Sequence, residues 1–354
     1  MISSITRRAI KPNRIPYNAI FIVFFSFLIS LLAFRNPILY ELFYEKVQPE
    51  LHWSWFTSNF LHGTGDLNSM ISHLIGNIVI GTLIFAYLIE NILGTGKAFM
   101  YTFFSIIFTL LYSYITTHYG HGASNITYSY FAFGIFICLE YIKRLRWKAL
   151  KDPFFILLFF LTIYCVIGNI TFYIGNTNIG GRNVHTISFV IGIALSLLWR
   201  KDIESYFDDN FKEKYKFTSR DILSIVLICL MSIYLVYSIF AVNQELEKRT
   251  ILKEITQDMG IPQTKEELNN NGGQVVIRFE EEMLPIIHSY NTNISINNLY
   301  IPAFKWKWLD TKTLYIKIYS PLGEDVNIYQ VVFNNLTTRD YESLGRKVEL
   351  SLVE

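Results

Sequence analysis

Seven long apolar runs, at 17–34, 70–90, 98–118, 124–142, 153–174, 184–199 and 221–242, set the first limit on this chain. A bilayer core is crossed by about 20 helical residues, and within hydrocarbon every backbone N–H and C=O must be bonded inside the structure. The runs therefore predict an all-α bundle of membrane-spanning helices. Composition agrees, because 51% of the 354 residues are hydrophobic and 17% charged, against about 25% charged in a soluble domain. A net charge of +2 offers no nucleic-acid footprint. The cysteines, Cys138, Cys165 and Cys229, all lie in apolar runs and show neither a disulfide framework nor metal-ligand spacing. The first run follows Arg7, Arg8, Lys11 and Arg14 and no small-residue cleavage site follows it, so it reads as an anchor that is retained.

Charge placement orients the bundle. The N-terminal arm and the loops at 91–97, 143–152 and 200–220 hold sixteen Lys and Arg, whereas the intervening loops hold three, Arg35, Lys46 and Arg182. The positive-inside rule places the N-terminus in the cytoplasm of a multi-pass protein of the cell membrane. Seven spans then put the C-terminus outside.

Beyond residue 242 the composition changes. The charged stretch ELEKRTILKEITQDM predicts a helix, and the NNNGG that follows reads as a break, so 243–273 is expected to link two domains. Residues 274–354 contain β-branched and aromatic runs, QVVIRF, ISINNLYI, TLYIKIYS, NIYQVVF and KVELSLVE, separated by turn residues. They predict a soluble, sandwich-like all-β domain outside the membrane after a transmembrane domain at 1–242. It carries no Cys and a single His, so binding of protein or substrate is its expected role.

Polar groups inside membrane helices are costly and mark function. The second, fourth and sixth runs all begin on the expected outer side, so their N-terminal ends share one level. His73 and Asn77 are four apart and face one way, as do Ser124 and Tyr128. Gly122 permits a tight turn before Ser124, which then opens a helix whose unpaired amides favour developing negative charge. His185 opens the sixth run and can act as base, since a serine hydroxyl needs a neighbouring imidazole to lose its proton. The Ser124 amide, Asn77 and His73 are the expected oxyanion donors. No acidic residue lies in the apolar interior, which leaves a dyad with Tyr128 packed on His185 rather than a triad. Taken singly, Ser124 also fits a helix N-cap, and His73, Asn77 and His185 fit polar helix contacts.

These residues resemble the rhomboid family of intramembrane serine proteases across roughly 50–200. WSWFTSNFLH is similar to the family's first-loop segment, HLIGN to its His-x3-Asn element and ENILGTGK to its Glu-x3-Gly turn. GASNITY is similar to Gly-x-Ser-Gly-x-x-Tyr, and HTISFVIG to His-x2-Gly-x3-Gly. The resemblance implies a six-helix core plus a seventh helix, a catalytic dyad of Ser124 and His185, oxyanion roles for His73 and Asn77, and transmembrane protein substrates in contact with membrane lipid. It implies no metal and no cofactor.

Two positions depart from the pattern. Asn125 stands for the glycine after the serine and Ser188 for the first glycine after the histidine, while Gly192 keeps the second. Small residues there let helices approach, so the larger pair either widens the dyad or joins the helices through a mutual hydrogen bond. The same departures motivate the alternative, a catalytically inactive rhomboid-like protein that binds membrane clients. Other motifs are excluded on chemistry. Gly63-Thr64-Gly65-Asp66 lacks the second aspartate of an aspartyl site, GTGK at 94–97 lacks the rest of a phosphate loop, and the histidines show no His-Glu-x2-His spacing.

Overall fold

The computed structural model describes residues 6–7, 15–44, 52–62, 70–72, 74–116, 122–175, 179–208, 219–262, 265–283, 294–296, 304–319, 329–333 and 348–352. The apolar runs form α1 (Tyr17–Arg35), α3 (Met70–Leu93), α4 (Thr95–Thr116), α5 (Ser124–Leu145), α6 (Pro153–Gly175), α7 (Ile179–Leu198) and α9 (Ser219–Ile255). Short helices α2 (Pro37–Phe43) and α8 (Arg200–Tyr206) lie between them, and α10 (Lys265–Asn270) follows α9. Among the described residues five helices are long and apolar enough to cross a membrane, or six if α7 and α8, bent by 65° at their junction, count as one span. Large side chains such as Phe160, Ile233 and Phe240, each 64% exposed, lie on outward faces where only lipid matches them. The protein is therefore an integral membrane protein.

The chain divides into two compact units, Met1–Leu32 with Phe43–Ser238, and Ala33–Leu42 with Ile239–Glu354. The first is the helical bundle, with α5 packed most heavily against α7. At one end of it the carboxylate of Glu90, fully buried, accepts the backbone N–H of Asn18 at 3.0 Å and of Ala19 at 3.4 Å. A charge there satisfies amides that the first turn of α1 leaves without intrahelical partners. The Asn18 amide in turn donates to Thr102 at 2.9 Å and Tyr130 at 3.2 Å, knotting α1 to α4 and α5.

A polar seam ties α4, α5 and α7. Tyr101, Ser105 and Thr109 recur every four residues on α4, and Ser188, Gly192 and Ser196 do the same on α7. The Tyr101 hydroxyl lies 2.9 Å from the Ser129 carbonyl, 2.8 Å from the Gly192 carbonyl and 3.1 Å from Ser196 Oγ. Ser105 donates to Ser129 Oγ at 2.8 Å, and Thr109 pairs with Ser188 at 3.2 Å. Hydroxyls on facing helix stripes replace the hydrophobic drive that lipid cannot supply.

In the second unit the charged stretch after residue 242 continues α9 as one helix of 37 residues. Strands β1 (Gln274–Arg278), β4 (Thr313–Ile318) and β3 (Phe304–Trp308) form an antiparallel sheet in the order β1-β4-β3. Strands β2 (Ile294–Ile296), β5 (Tyr329–Phe333) and β6 (Val348–Leu352) form another, in the order β2-β5-β6. The Asn-Gly stretch turns directly into β1, with Gly272 and Gly273 at φ +62° and +75°. β3 is outside the expected runs, although Phe304, Trp306 and Trp308 alternate with Lys305 and Lys307 in the strand period.

Arg249, fully buried, donates to Glu41 at 3.0 Å and to the Trp308 carbonyl at 2.6 Å, joining α2, α9 and β3 within this unit. Arg278 donates to the carbonyls of Thr256 and Gln257, both at 2.8 Å, and so closes the C-terminal end of α9. Arg249→Met strands the Glu41 carboxylate in the interior and is expected to cost about 3–5 kcal/mol, whereas Arg249→Met with Glu41→Leu restores most of it. Limited proteolysis of this unit over a urea series measures both, and equal losses in the two variants would contradict the pairing.

Candidate active site

Ser124 is the first residue of α5 and is 7% exposed. Its Oγ lies 3.0 Å from Nε2 of His185, seven residues into α7. That separation lies within the range for a hydroxyl and the base that deprotonates it. The Tyr128 ring, one turn along α5, stacks on the His185 imidazole with centroids 4.2 Å apart and planes 19° apart. The ring therefore has a fixed face and its Nε2 is aimed at the hydroxyl. Each helix places its residue by the same means: apolar faces outward, with the polar seam of α4 drawing α5 and α7 together beneath the pair.

The turn that delivers Ser124 is held by the WSWFTSNFLH segment at 53–62. Residues Ser54–Thr57 form a short helical turn, followed by a tighter one at Ser58–Phe60. The carbonyl of Ser58 accepts the Gly122 N–H at 2.7 Å. His62, 3% exposed, accepts the Ala123 N–H at its Nε2 at 3.0 Å, while its Nδ1 lies 3.3 Å from the Phe60 carbonyl. Those contacts fit the tautomer that carries its proton on Nδ1. Gly122 sits at φ +92°, and a Cβ on it would meet the Leu61 carbonyl at 3.1 Å and His62 Nε2 at 3.2 Å. Only glycine fits both the backbone and the space. His62 is thus a positioning group for the turn that carries Ser124, and its spacing to Gly122 gives no local signal of it.

The other expected site residues are placed as follows. Asn77 lies on the π-helical part of α3, Leu74–Leu83, and its carbonyl accepts Thr82 Oγ at 2.7 Å and Thr127 Oγ at 3.4 Å, beside the first turn of α5. π-Helical turns are rare and concentrate near functional sites. His73 lies outside the described residues. Asn125 donates to Asn59 Oδ1 at 3.4 Å, and Ser188 donates to the Val184 carbonyl at 2.7 Å in addition to its contact with Thr109. With both larger side chains in place the Ser124–His185 separation is 3.0 Å. Gly192 is the close contact of α5 and α7, since a Cβ there would come within 2.3 Å of the Ser129 carbonyl oxygen. Among the described residues no three His, Cys, Asp or Glu side chains gather as metal ligands.

Residues 49–201 match the family model for the rhomboid domain. Those residues form a rhomboid domain. The matched segment runs from the first-loop turn through α7, so it contains the Ser124–His185 pair, His62 and Gly122. No curated protein and no solved structure matches the chain.

Proposed function

We propose that this rhomboid protein is an intramembrane serine endopeptidase that cleaves transmembrane segments of other membrane proteins through a dyad of Ser124 and His185. The observation that carries the reading is the 3.0 Å contact of Ser124 Oγ with His185 Nε2 at the start of α5, with Tyr128 stacked on the imidazole. Ser124 Oγ attacks the scissile carbonyl carbon while His185 takes its proton. The carbonyl oxygen becomes an oxyanion, which the Ser124 amide, Asn77 and His73 are proposed to hold. Collapse breaks the C–N bond, His185 returns the proton to the leaving amine, and a water activated by His185 then hydrolyses the ester. A helical substrate hides its carbonyls in its own hydrogen bonds, so the cut falls where small or helix-weakening residues let the segment unwind.

The same reading places the N-terminus in the cytoplasm of the cell membrane, with residues 1–242 as the membrane domain and 243–273 as a connection. Residues 274–354 become an extracytoplasmic, sandwich-like domain that contacts protein or substrate. The Lys and Arg asymmetry of the loops supports this orientation.

The test is covalent labelling of the detergent-solubilised protein with a fluorophosphonate probe, which reports an activated serine. Wild type is expected to label and both Ser124→Ala and His185→Ala to remain dark. An unlabelled, folded wild type that still binds membrane clients would replace the protease by a client-binding rhomboid-like protein.

A further inference from the structure

Several hydroxyls in the apolar helices bond back onto their own helix. Ser105, Thr109, Ser188, Ser232 and Ser238 each donate to the carbonyl four residues earlier, the ordinary way for such a side chain to satisfy itself away from water. Ser30, in the second half of α1 and 1% exposed, does otherwise. Its Oγ accepts the His62 N–H at 2.9 Å and donates to the Phe60 carbonyl at 3.3 Å. A hydroxyl has one proton to give, and Ser30 commits it to the first-loop segment instead of to α1.

That segment needs such a partner. Leu61 leaves the turn at Ser58–Phe60 in an extended conformation, with φ −82° and ψ 123°. The carbonyl before it and the N–H after it both meet Ser30, so one side chain fixes the backbone on either side of Leu61. Phe60 is fully buried, its ring edge-on to Phe21 and Phe25 of α1 at centroid separations of 5.6 and 6.3 Å. Apolar packing presses the segment onto α1, and the Ser30 hydroxyl sets its register there.

What the segment carries is His62. The Phe60 carbonyl lies 3.3 Å from His62 Nδ1 as well, and its two lone pairs can accept the Nδ1 proton beside that of Ser30. With the proton held on Nδ1, Nε2 is left to accept the Ala123 N–H at 3.0 Å. Ser30 thus reaches the turn by two routes. Through the His62 N–H it fixes the main chain that bears the imidazole, and through the Phe60 carbonyl it fixes the acceptor that selects the tautomer. We propose that Ser30 is a positioning residue for the turn that carries Ser124, acting from α1 through His62. Its effect on chemistry rests on the reading of Ser124 as nucleophile, whereas its hold on the Ala123 amide does not. Ser30 lies outside the matched residues 49–201, so the rhomboid pattern does not contain it.

The test follows two quantities in the full chain in detergent: hydrogen exchange of the Gly122–Ser124 amides, and the rate of fluorophosphonate labelling. Ser30→Ala removes one oxygen and is expected to speed exchange at Ala123 by about tenfold and to slow labelling by a similar factor, the scale of one lost hydrogen bond. Ser30→Thr returns the hydroxyl and is expected to restore both. Ser26→Ala is the matched control. Ser26 lies one turn earlier on α1, fully buried, and its Oγ has no hydrogen-bond partner among the described residues, so its loss should move neither quantity. Ser30→Ala combined with His62→Ala should label no more slowly than His62→Ala alone, since the effect passes through the imidazole. Unchanged exchange at Ala123 in a folded Ser30→Ala would overturn the proposal. Faster exchange spread evenly over all helices would also overturn it, by reducing Ser30 to a general contribution to stability. If Ser30→Ala does not fold, Ser30→Cys, which fills the same space with a weaker hydrogen-bonding group, is judged by the same criteria. A folded wild type that does not label would count against the protease reading, and exchange at Ala123 would still decide the role of Ser30.

Discussion

Ser124→Ala, His185→Ala and the double variant are each expected to lower cleavage of a membrane-embedded reporter segment by about 10⁴-fold or more, with the double variant no slower than either single one. The equality matters more than the size. A hydroxyl 3.0 Å from an imidazole acts only as part of the pair, so once either member is lost nothing remains for removal of the other to take. If the single losses multiplied in the double variant, the two residues would be acting independently and the dyad would be wrong. Tyr128 divides the roles further. Its contact with His185 is ring on ring, so Tyr128→Phe should stay near wild type. Tyr128→Leu removes a stacking contact worth about 1 kcal/mol and should slow cleavage several-fold. Reconstituted liposomes carrying a reporter with glycine or serine near its centre supply the assay.

Much of this site is visible before any coordinates, because helices convert spacing into direction. Ser124 and Tyr128 differ by four, so any helix that begins at Ser124 presents both to whatever packs on that face. The apolar runs locate the helices because hydrocarbon leaves a chain few alternatives. What is hidden is held by partners distant in sequence. The reach of His62 to the Ala123 amide spans 61 residues, and nothing within either segment announces the other. Asn125 was expected either to spread the helices or to bond Ser188; instead it meets Asn59, from a loop whose path depends on how Ser54–Phe60 coils.

Other features were encoded but fell below the usual patterns. The hydroxyl stripe Tyr101, Ser105, Thr109 and its partner Ser188, Gly192, Ser196 have helical spacing, yet a stripe of small and polar residues in an apolar run reads as tolerated polarity until two of them face each other. Ala33–Leu42 groups with the C-terminal unit, and within that unit Glu41 meets Arg249 from 208 residues away, which no local pattern predicts. β3 has lysine at two of its five positions, so its alternation is easily missed beside the aliphatic strands.

Gly192→Ala is expected to lower activity by about 100-fold or more, although it adds one methyl group and touches neither member of the dyad. The added carbon would sit 2.3 Å from the Ser129 carbonyl oxygen and 2.7 Å from its Cα. Both are backbone atoms of a helix, so no side chain can swing aside, and the relief available is separation of α5 from α7. Overpacking of this kind costs about 1–3 kcal/mol in stability. Its effect on chemistry is larger, because Ser124 lies five residues from Ser129 and His185 seven from Gly192, only about 7–10 Å along the two axes. A wedge so near the pair is transmitted to it with little attenuation, and a misplacement of about 1 Å is enough for a loss of that order. Gly76→Ala provides the contrast, since a Cβ there meets nothing within 4 Å and should leave the melting temperature nearly unchanged. Should Gly192→Ala cleave and melt like wild type, the close approach of α5 and α7 would not be what holds His185 against Ser124. The hydroxyl seam centred on Tyr101 would then have to hold them without it, and Tyr101→Phe, which removes the shared hydroxyl and keeps the ring, is the variant that would expose it.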